Sequence, residues 1–427
     1  MTATRSLRAV ADVALGKMRT PDSDTGTNVV PYLRAANVGD GVLRLRDVKR
    51  MHFEPAELAR HRLEAGDVLV TEASGSREQV GQTALYAGEV PGAAMQNTLL
   101  RLRPREGTDV RYLYWWSRFA FGSGLYAEAA QGLGIWHLGS ERLQRLQVPV
   151  LPLQEQRRVV AFLEHQVGLL DEAVDGRRQQ EALLLTRRAA GALAAVTGAS
   201  RQGSLVDGLL PWADRTPADW PVGKITYHAR LGSGHTPNRG RADWWTDCTI
   251  PWITTGEVHQ LRDDRQEIIT ETRERISELG VQNSSAEVHP AGTVVLSRTA
   301  SAGFSGVMGT EMATSQDFVT WTCEASLSPY YLLWCLRAMR PDLLGRLAMG
   351  STHKTIYVPD IQTLRIPVPP RAEQDAAVAG IRQENARLER LVDLGRTHLA
   401  LLQERKQALI TAAVTGQLDV TTARGVA

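Results

Sequence analysis

The sequence predicts a mixed α/β (α+β) chain in which two globular units alternate with two long helices. The helices are expected to pair as an antiparallel coiled coil, giving a pseudo-twofold arrangement within one polypeptide. Three observations predict this. A repeat runs nearly end to end at an offset close to 218 residues. Each copy begins with short β-branched and alternating runs bounded by Gly or Pro. Each copy ends in a long proline-free stretch whose apolar residues fall at steps of three and four.

The repeat comes first because a missed repeat misreads the whole fold. "LGKMRTP" (Leu15–Pro21) faces "LGSGHTP" (Leu231–Pro237), and "PYLRAANV" (Pro31–Val38) faces "PWITTGEV" (Pro251–Val258). "GDVLVTEASG" (Gly66–Gly75) faces "GTVVLSRTAS" (Gly292–Ser301), and "QN" (Gln96–Asn97) faces "QD" (Gln316–Asp317). "VPVLPLQEQ" (Val148–Gln156) faces "IPVPPRAEQ" (Ile366–Gln374) at an offset of 218, which then holds without a gap to "AAVTG" at Ala194–Gly198 and Ala412–Gly416. Offsets that drift in the first part and lock in the second describe one architecture with variable loops. A unit this long is a duplicated domain plus an appendage, not a solenoid.

In the first part of each copy, "DVLVTEA", "TLLRLRP", "GTVVLSR" and "DFVTWTC" read as strands. "DVRYLYWWSRFAF" and "SPYYLLWCLRAMR" have the aromatic and leucine spacing of helices, and their aromatics read as core. In the second part no proline follows Pro152 as far as Thr197, or Pro370 as far as Thr415. Proline suits a first helical turn, where its missing N–H would be unpaired anyway. Glu155 and Glu373 follow where a carboxylate favours the positive end of the dipole. So P-x-x-E-Q reads as a helix start, twice.

Heptad spacing carries the helices onward. In the first, the seam runs through Val160, Leu163, Val167, Leu170, Val174 and Leu184; in the second, through Val378, Ile381, Asn385, Leu388, Val392 and Leu402. Asn385 on the seam would restrict register. At 1.5 Å per residue each arm would reach roughly 65–70 Å if unbroken, with Gly176 and Gly395 as places for a bend. An exposed seam needs a partner, and the economical one is the other copy, packed antiparallel, with the globular parts at opposite ends of a rigid rod. The division is therefore 1–150, first globular unit; 151–198, first helix; 199–223, a Gly-, Pro- and Ser-rich linker; 224–368, second globular unit; 369–416, second helix; 417–427, tail.

Composition narrows the function classes. A net charge of +2 announces no basic nucleic-acid tail, and five lysines against forty-four arginines fit a GC-rich genome. Three cysteines, Cys248, Cys323 and Cys335, form no CxxC pair or metal cluster and read as reduced thiols in a cytosol. The N-terminus lacks a signal-peptide core and no apolar run is long enough to span a membrane, so a cytoplasmic location is expected. There is no Walker A, GxSxG or HExxH motif, no Pro-Pro-aromatic methyltransferase signature and no common nuclease core. No catalytic or metal-ligating set stands out, and the chain reads as a binder with a ruler rather than an enzyme.

The combination resembles the specificity subunits of type I restriction–modification systems. The resemblance rests on "PYLRAANV", "GDVLVTEASGSREQVG", "VPVLPLQEQ" and "AVTG", and in the second copy on "PWITTGEV", "GTVVLSRTASAGFSG", "GSTHKTIYVPDIQTLRIPVPPRAEQ" and "ERKQALITAAVTG". It covers nearly the whole chain in the family's order. One departure is that the first copy lacks the Trp-rich lead-in "WADRTPADWPVG", so its N-terminal edge is expected to be trimmed or differently packed. The resemblance implies a non-catalytic subunit with two target recognition domains, each reading half of an asymmetric, bipartite site in double-stranded DNA. It implies helices that set the spacing and dock two methyltransferase subunits using S-adenosylmethionine, with restriction subunits using ATP and Mg; no cofactor is expected on this chain. Such a subunit would serve DNA methylation and phage defence. The alternative is a coiled-coil scaffold that joins other proteins without DNA specificity.

Base reading needs Arg, Asn, Gln and hydroxyl donors at groove edges. Polar loop residues beside strand ends are the candidates: Arg34, Ser76, Arg77, Gln79 and Gln82 in the first unit, and Thr254, Arg298, Thr299, Ser301, His353 and Lys354 in the second. Lys354 and the Gly350–Thr355 run make the best phosphate loop. Residues 1–150 hold nineteen Lys/Arg against sixteen Asp/Glu, and 201–368 hold sixteen against eighteen. Neither unit is strongly basic, so grip on DNA is expected to depend on partners.

Overall fold

The computed structural model describes residues 3–20, 23, 26–350 and 354–420. Four helices organise them: α1 (Val110–Gly122), α2 (Leu153–Thr197), α3 (Pro329–Asp342) and α4 (Arg371–Val414). The chain divides into two compact units, Met1–Arg178 with Gly395–Ala427, and Gln179–Leu394. Each unit takes one end of α2 and one end of α4.

The first unit is built on a four-stranded antiparallel sheet ordered Ala11–Leu15, Leu99–Pro104, Asp67–Thr71, Thr83–Tyr86. Val68, Val70, Leu100 and Leu102 face Tyr112, Leu113 and Trp116 of α1, while Leu69, Ala84 and Leu99 face a second core with Leu33 and Met95. Burial on both faces explains why "DVLVT" reads as a run of apolar residues rather than a strict alternation. A three-stranded sheet (Lys49–His52, Val29–Leu33, Ala94–Met95) and a two-stranded pair (Thr4–Ser6 with Gln147–Pro149) complete the unit.

The second unit repeats this plan. Its main sheet runs Ala229–Ser233, Phe318–Cys323, Val294–Ser297, Ser305–Met308, with Ile268–Ile269 added in parallel at the edge. Val294, Leu296, Val319 and Trp321 pack on Tyr331, Leu332 and Trp334 of α3, and Val295, Met308 and Phe318 form the opposite core with Ile253. Its three-stranded sheet is Glu274–Ile276, Ile250–Ile253, Ala313–Thr314. Val222–Lys224 pairs with Arg365–Pro367 as Thr4–Ser6 does with Gln147–Pro149. The edge strand of the first unit is therefore paired as the second's is.

Residues 199–223 are more structured than a linker. Leu205–Leu210 and Ala213–Pro217 form an antiparallel hairpin. Two tryptophans anchor the segment: Trp212 Nε1 donates to the Arg365 carbonyl (3.0 Å) and Trp220 Nε1 to Glu373 (3.2 Å). Both indoles are buried, so an aperiodic sequence is held by two large apolar side chains rather than by a repeating face.

The P-x-x-E-Q runs are helix starts that also join elements. Pro152 and Pro370 carbonyls accept the first helical bonds of α2 and α4, from Gln156 N–H (3.0 Å) and Gln374 N–H (3.1 Å). The two glutamine side chains are buried. Gln156 Oε1 accepts from the Asp109 N–H (2.8 Å), and its Nε2 donates to the Gly107 (3.0 Å) and Leu151 (2.8 Å) carbonyls. Gln374 does the same with the Ser328 N–H, the Ser326 carbonyl and the Pro369 carbonyl, each at 2.8 Å. Asp109 and Ser328 are the N-caps of α1 and α3. One amide thus ties the start of each long helix to the start of its unit's own helix, using backbone groups that would otherwise be orphaned.

Among the seam residues, Val160, Leu163, Val167, Leu170 and Val174 are buried, as are Val378, Ile381, Asn385, Leu388, Val392 and Leu402, while Leu184 is half-buried. In the first unit Val160, Leu163 and Val167 join the α1 core together with Ile410, Ala413 and Val414 of α4, and Leu170 and Val174 meet Leu402. Lys406 reaches Asp171 at 2.5 Å. In the second unit Val378 and Ile381 join the α3 core with Ala192 and Val196 of α2, and Arg187–Glu384 (3.0 Å) and Arg188–Glu389 (3.2 Å) bridge the helices. Rising numbers on one helix meet falling numbers on the other, so the pairing is antiparallel. Near each helix start the seam faces its own globular unit as well as the partner helix. Both helices pass Gly176 and Gly395 unbroken.

Candidate nucleic-acid interface

The loops beside the strand ends form the candidate interface in each unit. In the first, Arg34 follows the strand Val29–Leu33; its Nη2 donates to Asp47 (2.6 Å) and its N–H to Asn37 Oδ1 (3.1 Å). Lys49, and after it Arg34, holds the Asp47 carboxyl below its usual range. Ser76 Oγ donates to Glu78 (2.7 Å), which lowers the Glu78 carboxyl, and Gln82 Nε2 donates to Gln79 Oε1 (2.7 Å). Arg77 donates from Nε to the Ala127 carbonyl (2.8 Å) and lies 5.1 Å above the Trp136 ring. Thr98 links these loops: its Oγ1 accepts from the Ala35 N–H (3.0 Å) and its carbonyl from the Glu72 N–H (2.9 Å). All five candidates therefore lie on neighbouring loops, each but Arg34 on the segment 76–82.

In the second unit Thr254 caps its own turn, its Oγ1 accepting from the Gly256 N–H (3.3 Å). Arg298 donates from Nε to the Gln316 carbonyl (2.9 Å) and Thr299 donates to Asp317. Ser301 is half-buried in the same loop. Lys354 is exposed and donates to the Leu344 carbonyl (3.0 Å). His353 lies outside the described residues. Arg298 and Thr299 are thus gathered with Gln316 and Asp317, and the Ile356 N–H donates to the Arg298 carbonyl (2.8 Å), bringing the end of the Gly350–Thr355 run beside them.

Hydrogen bonding equates Glu72 with Arg298, the pairing that the facing runs Gly66–Gly75 and Gly292–Ser301 also give. Glu72 donates from its N–H to Thr98 and accepts at its carbonyl from the Leu138 N–H (2.8 Å). Arg298 does the same with Asp317 and Ile356. At one place in the two frames stand a carboxylate and a guanidinium. Glu72 lies 2.9 Å from His137 Nδ1. The same bonds align Gln96 with Ser315, since both N–H groups donate to the carbonyl ending the preceding strand, Leu33 and Ile253. The Gln96–Gln316 match in sequence is therefore one residue out of structural register.

Among the described residues no cluster of three His, Cys, Asp or Glu could hold a metal. Burial pushes the Cys323 thiol up to about 12 and raises Cys335 further from the thiolate range. Among the described residues no helix is long and apolar enough to cross a membrane.

Known proteins match this architecture. Residues 217–391 match the family model of the type I restriction modification DNA specificity domain. A protein assigned as the MjaX type I restriction enzyme specificity subunit of Methanocaldococcus jannaschii is 20% identical over 414 residues, covering 92% of this chain and 88% of its own length. The MjaIX specificity subunit from the same organism is 26% identical over 161 residues, 38% of this chain and 36% of that one. In solved structures, a chain from a study of complex assembly and conformational transition in a type I R-M system aligns with a TM-score of 0.70 at 20% identity, covering 97% of this chain and 98% of that one. The HsdS subunit from Thermoanaerobacter tengcongensis aligns with a TM-score of 0.52 at 20% identity over 97% of each chain. These structural likenesses establish the fold.

Proposed function

We infer that this chain is the DNA specificity subunit of a type I restriction–modification system, and that each of its two globular units reads one half of a split, asymmetric target. The observation that carries the reading is one frame built twice with different chemistry at matching places. Glu72 beside His137 in one unit is replaced by Arg298 in the other. A carboxylate accepts from cytosine N4 and a guanidinium donates to guanine, so two such units would prefer different base pairs. The domain match over residues 217–391 supports assigning that frame to DNA rather than to a protein scaffold.

The paired helices set the gap between half-sites and dock two methyltransferase subunits. Exposed leucines suit docking, with Leu169 and Leu401 in the first unit and Leu183 and Leu394 in the second. Catalysis belongs to the partners, which would carry S-adenosylmethionine for methyl transfer and ATP with Mg for cleavage by restriction subunits. The chain itself contributes base contacts, spacing and docking, in the cytoplasm where the chromosome lies.

The test is a map of modified bases in the host chromosome with and without the gene for this chain. Methylation at every copy of one split motif should vanish on deletion and return on complementation. Unchanged methylation, or loss at a continuous palindrome instead of a split motif, would contradict the reading.

A further inference from the structure

The most exposed apolar side chain of the first unit supports nothing in the fold. Leu133 is 100% exposed and Ile135 is 56% exposed. They project from a tight hairpin closed by two bonds, Gln131 N–H to the His137 carbonyl (2.9 Å) and His137 N–H to the Gln131 carbonyl (2.8 Å). Gly132 and Gly134 both have positive φ, 150° and 81°. A Cβ on Gly132 would lie 1.9 Å from the Ile135 carbonyl oxygen, so the turn requires glycine.

The base of this hairpin is held firmly. Trp136–His137 pairs with Ala73–Ser74. Arg77 stacks on Trp136, and Arg142 donates to the Leu138 (3.0 Å) and His137 (2.8 Å) carbonyls. Two arginines therefore brace a finger whose tip is apolar and wet, next to the candidate loop 76–82.

The second unit builds the same closure 218 residues on. Met349 and Thr355 exchange N–H to carbonyl bonds at 2.9 and 2.8 Å. The run between them, Gly350–Lys354, is polar and cationic where Gly132–Trp136 is apolar. A frame kept while its contents change is what a reading element requires.

We propose that the Gly132–Trp136 finger enters the DNA of the first half-site, with Leu133 as an apolar base-contacting residue. This deepens the specificity reading and rests on it. A projection of two side chains is too small to form the core of a protein–protein interface. It matches the two apolar contacts that duplex DNA accepts: a thymine methyl at the major-groove edge, or a wedge between partly unstacked base pairs.

The experiment uses the full chain assembled with its modification subunits and duplexes bearing the mapped target. The first half-site is the one left unchanged when the second globular unit is exchanged. Leu133→Ala should weaken cognate binding roughly tenfold, the scale of one buried leucine contact. The loss should be confined to discrimination within the first half-site. Uracil in place of thymine should reproduce the loss in wild type, and add nothing in Leu133→Ala, if the methyl is the contact. Brightening of 2-aminopurine by wild type but not by Leu133→Ala would identify the wedge. Leu133→Ser should behave like Leu133→Ala, and native circular dichroism in both separates contact loss from unfolding. Unchanged affinity and discrimination in a sequence-selective complex would overturn the proposal. So would weaker assembly with the modification subunits and intact base discrimination, which would make the finger a protein contact. A wild-type complex without sequence preference would instead remove the specificity reading, and this inference with it.

Discussion

Gln374→Leu is expected to destabilise the second unit by about 3–5 kcal/mol, because a buried donor or acceptor left unpaired costs about 1–3 kcal/mol and this change strands several. The side chain is fully buried and makes three bonds to main-chain groups: the Ser328 N–H and the Ser326 and Pro369 carbonyls. Leucine fills similar space but offers none of them a partner. Gln374→Glu would keep the acceptor and lose both donors, while adding a charge to an apolar site, so it should not rescue. Denaturant unfolding of the full chain, followed by helical circular dichroism, reads the effect directly. Hydrogen exchange should show the first turns of α3 and α4 opening together. A loss below about 1 kcal/mol would mean the amide bonds are dispensable and water replaces them. Gln156→Leu should act alike in the first unit through the Asp109 N–H and the Gly107 and Leu151 carbonyls.

Arg337→Met should cost a comparable amount, about 3–5 kcal/mol, the range seen when one partner of a buried charge cluster is removed. Arg337 lies in α3 with its side chain only 2% exposed. Its guanidinium donates to the Asp264 (2.8 Å), Gln266 (2.6 Å) and Ser305 (3.4 Å) carbonyls and lies 4.8 Å from the centre of the Trp334 ring. Burial pushes its pKa down to about 10, which still leaves it cationic at neutral pH. Asp264 has a φ of 57°, an uncommon conformation for a residue other than glycine, and is also gripped by Arg340 at 2.7 and 2.9 Å. Methionine preserves the apolar stem and the contact with Trp334 but frees three carbonyls. The loop 263–267 should then exchange amide protons faster in Arg337→Met than in wild type. An unaltered exchange rate there would show that Arg340 alone holds the loop. The first unit repeats the device in weaker form: Arg118 pairs with Asp40 (3.1 Å) and lies 5.4 Å from Trp115.

How far the sequence can be read differs by element. The strands and both pairs of helices were legible because their apolar runs answer to two-sided burial or to steps of three and four. The glutamine of P-x-x-E-Q was not. Its proline and glutamate are explained within one helical turn, whereas Gln156 meets Asp109 from 47 positions away. The hairpin Leu205–Leu210/Ala213–Pro217 escaped because its strands are mostly exposed and Trp212 and Trp220 hold it from outside the pattern. At the candidate interface, polar residue type located the loops but not their side-chain partners. Arg77 braces Trp136, and Arg298 caps the Gln316 carbonyl, through contacts no local spacing encodes. Leu133 was missed for the opposite reason: an apolar residue beside Ile135 and Trp136 reads as core until its exposure is seen.

That one polypeptide carries two independent base readers of the same design meets its sharpest test in an exchange of residues 225–364, which lie between the paired edge strands Val222–Lys224 and Arg365–Pro367. The replacement is the corresponding segment of a relative with a different target, leaving both long helices intact. Mapping methylated bases made by the assembled complex should show one half of the split motif replaced, with the other half and the gap unchanged. A motif altered in both halves, or altered in neither, would refute two independent readers.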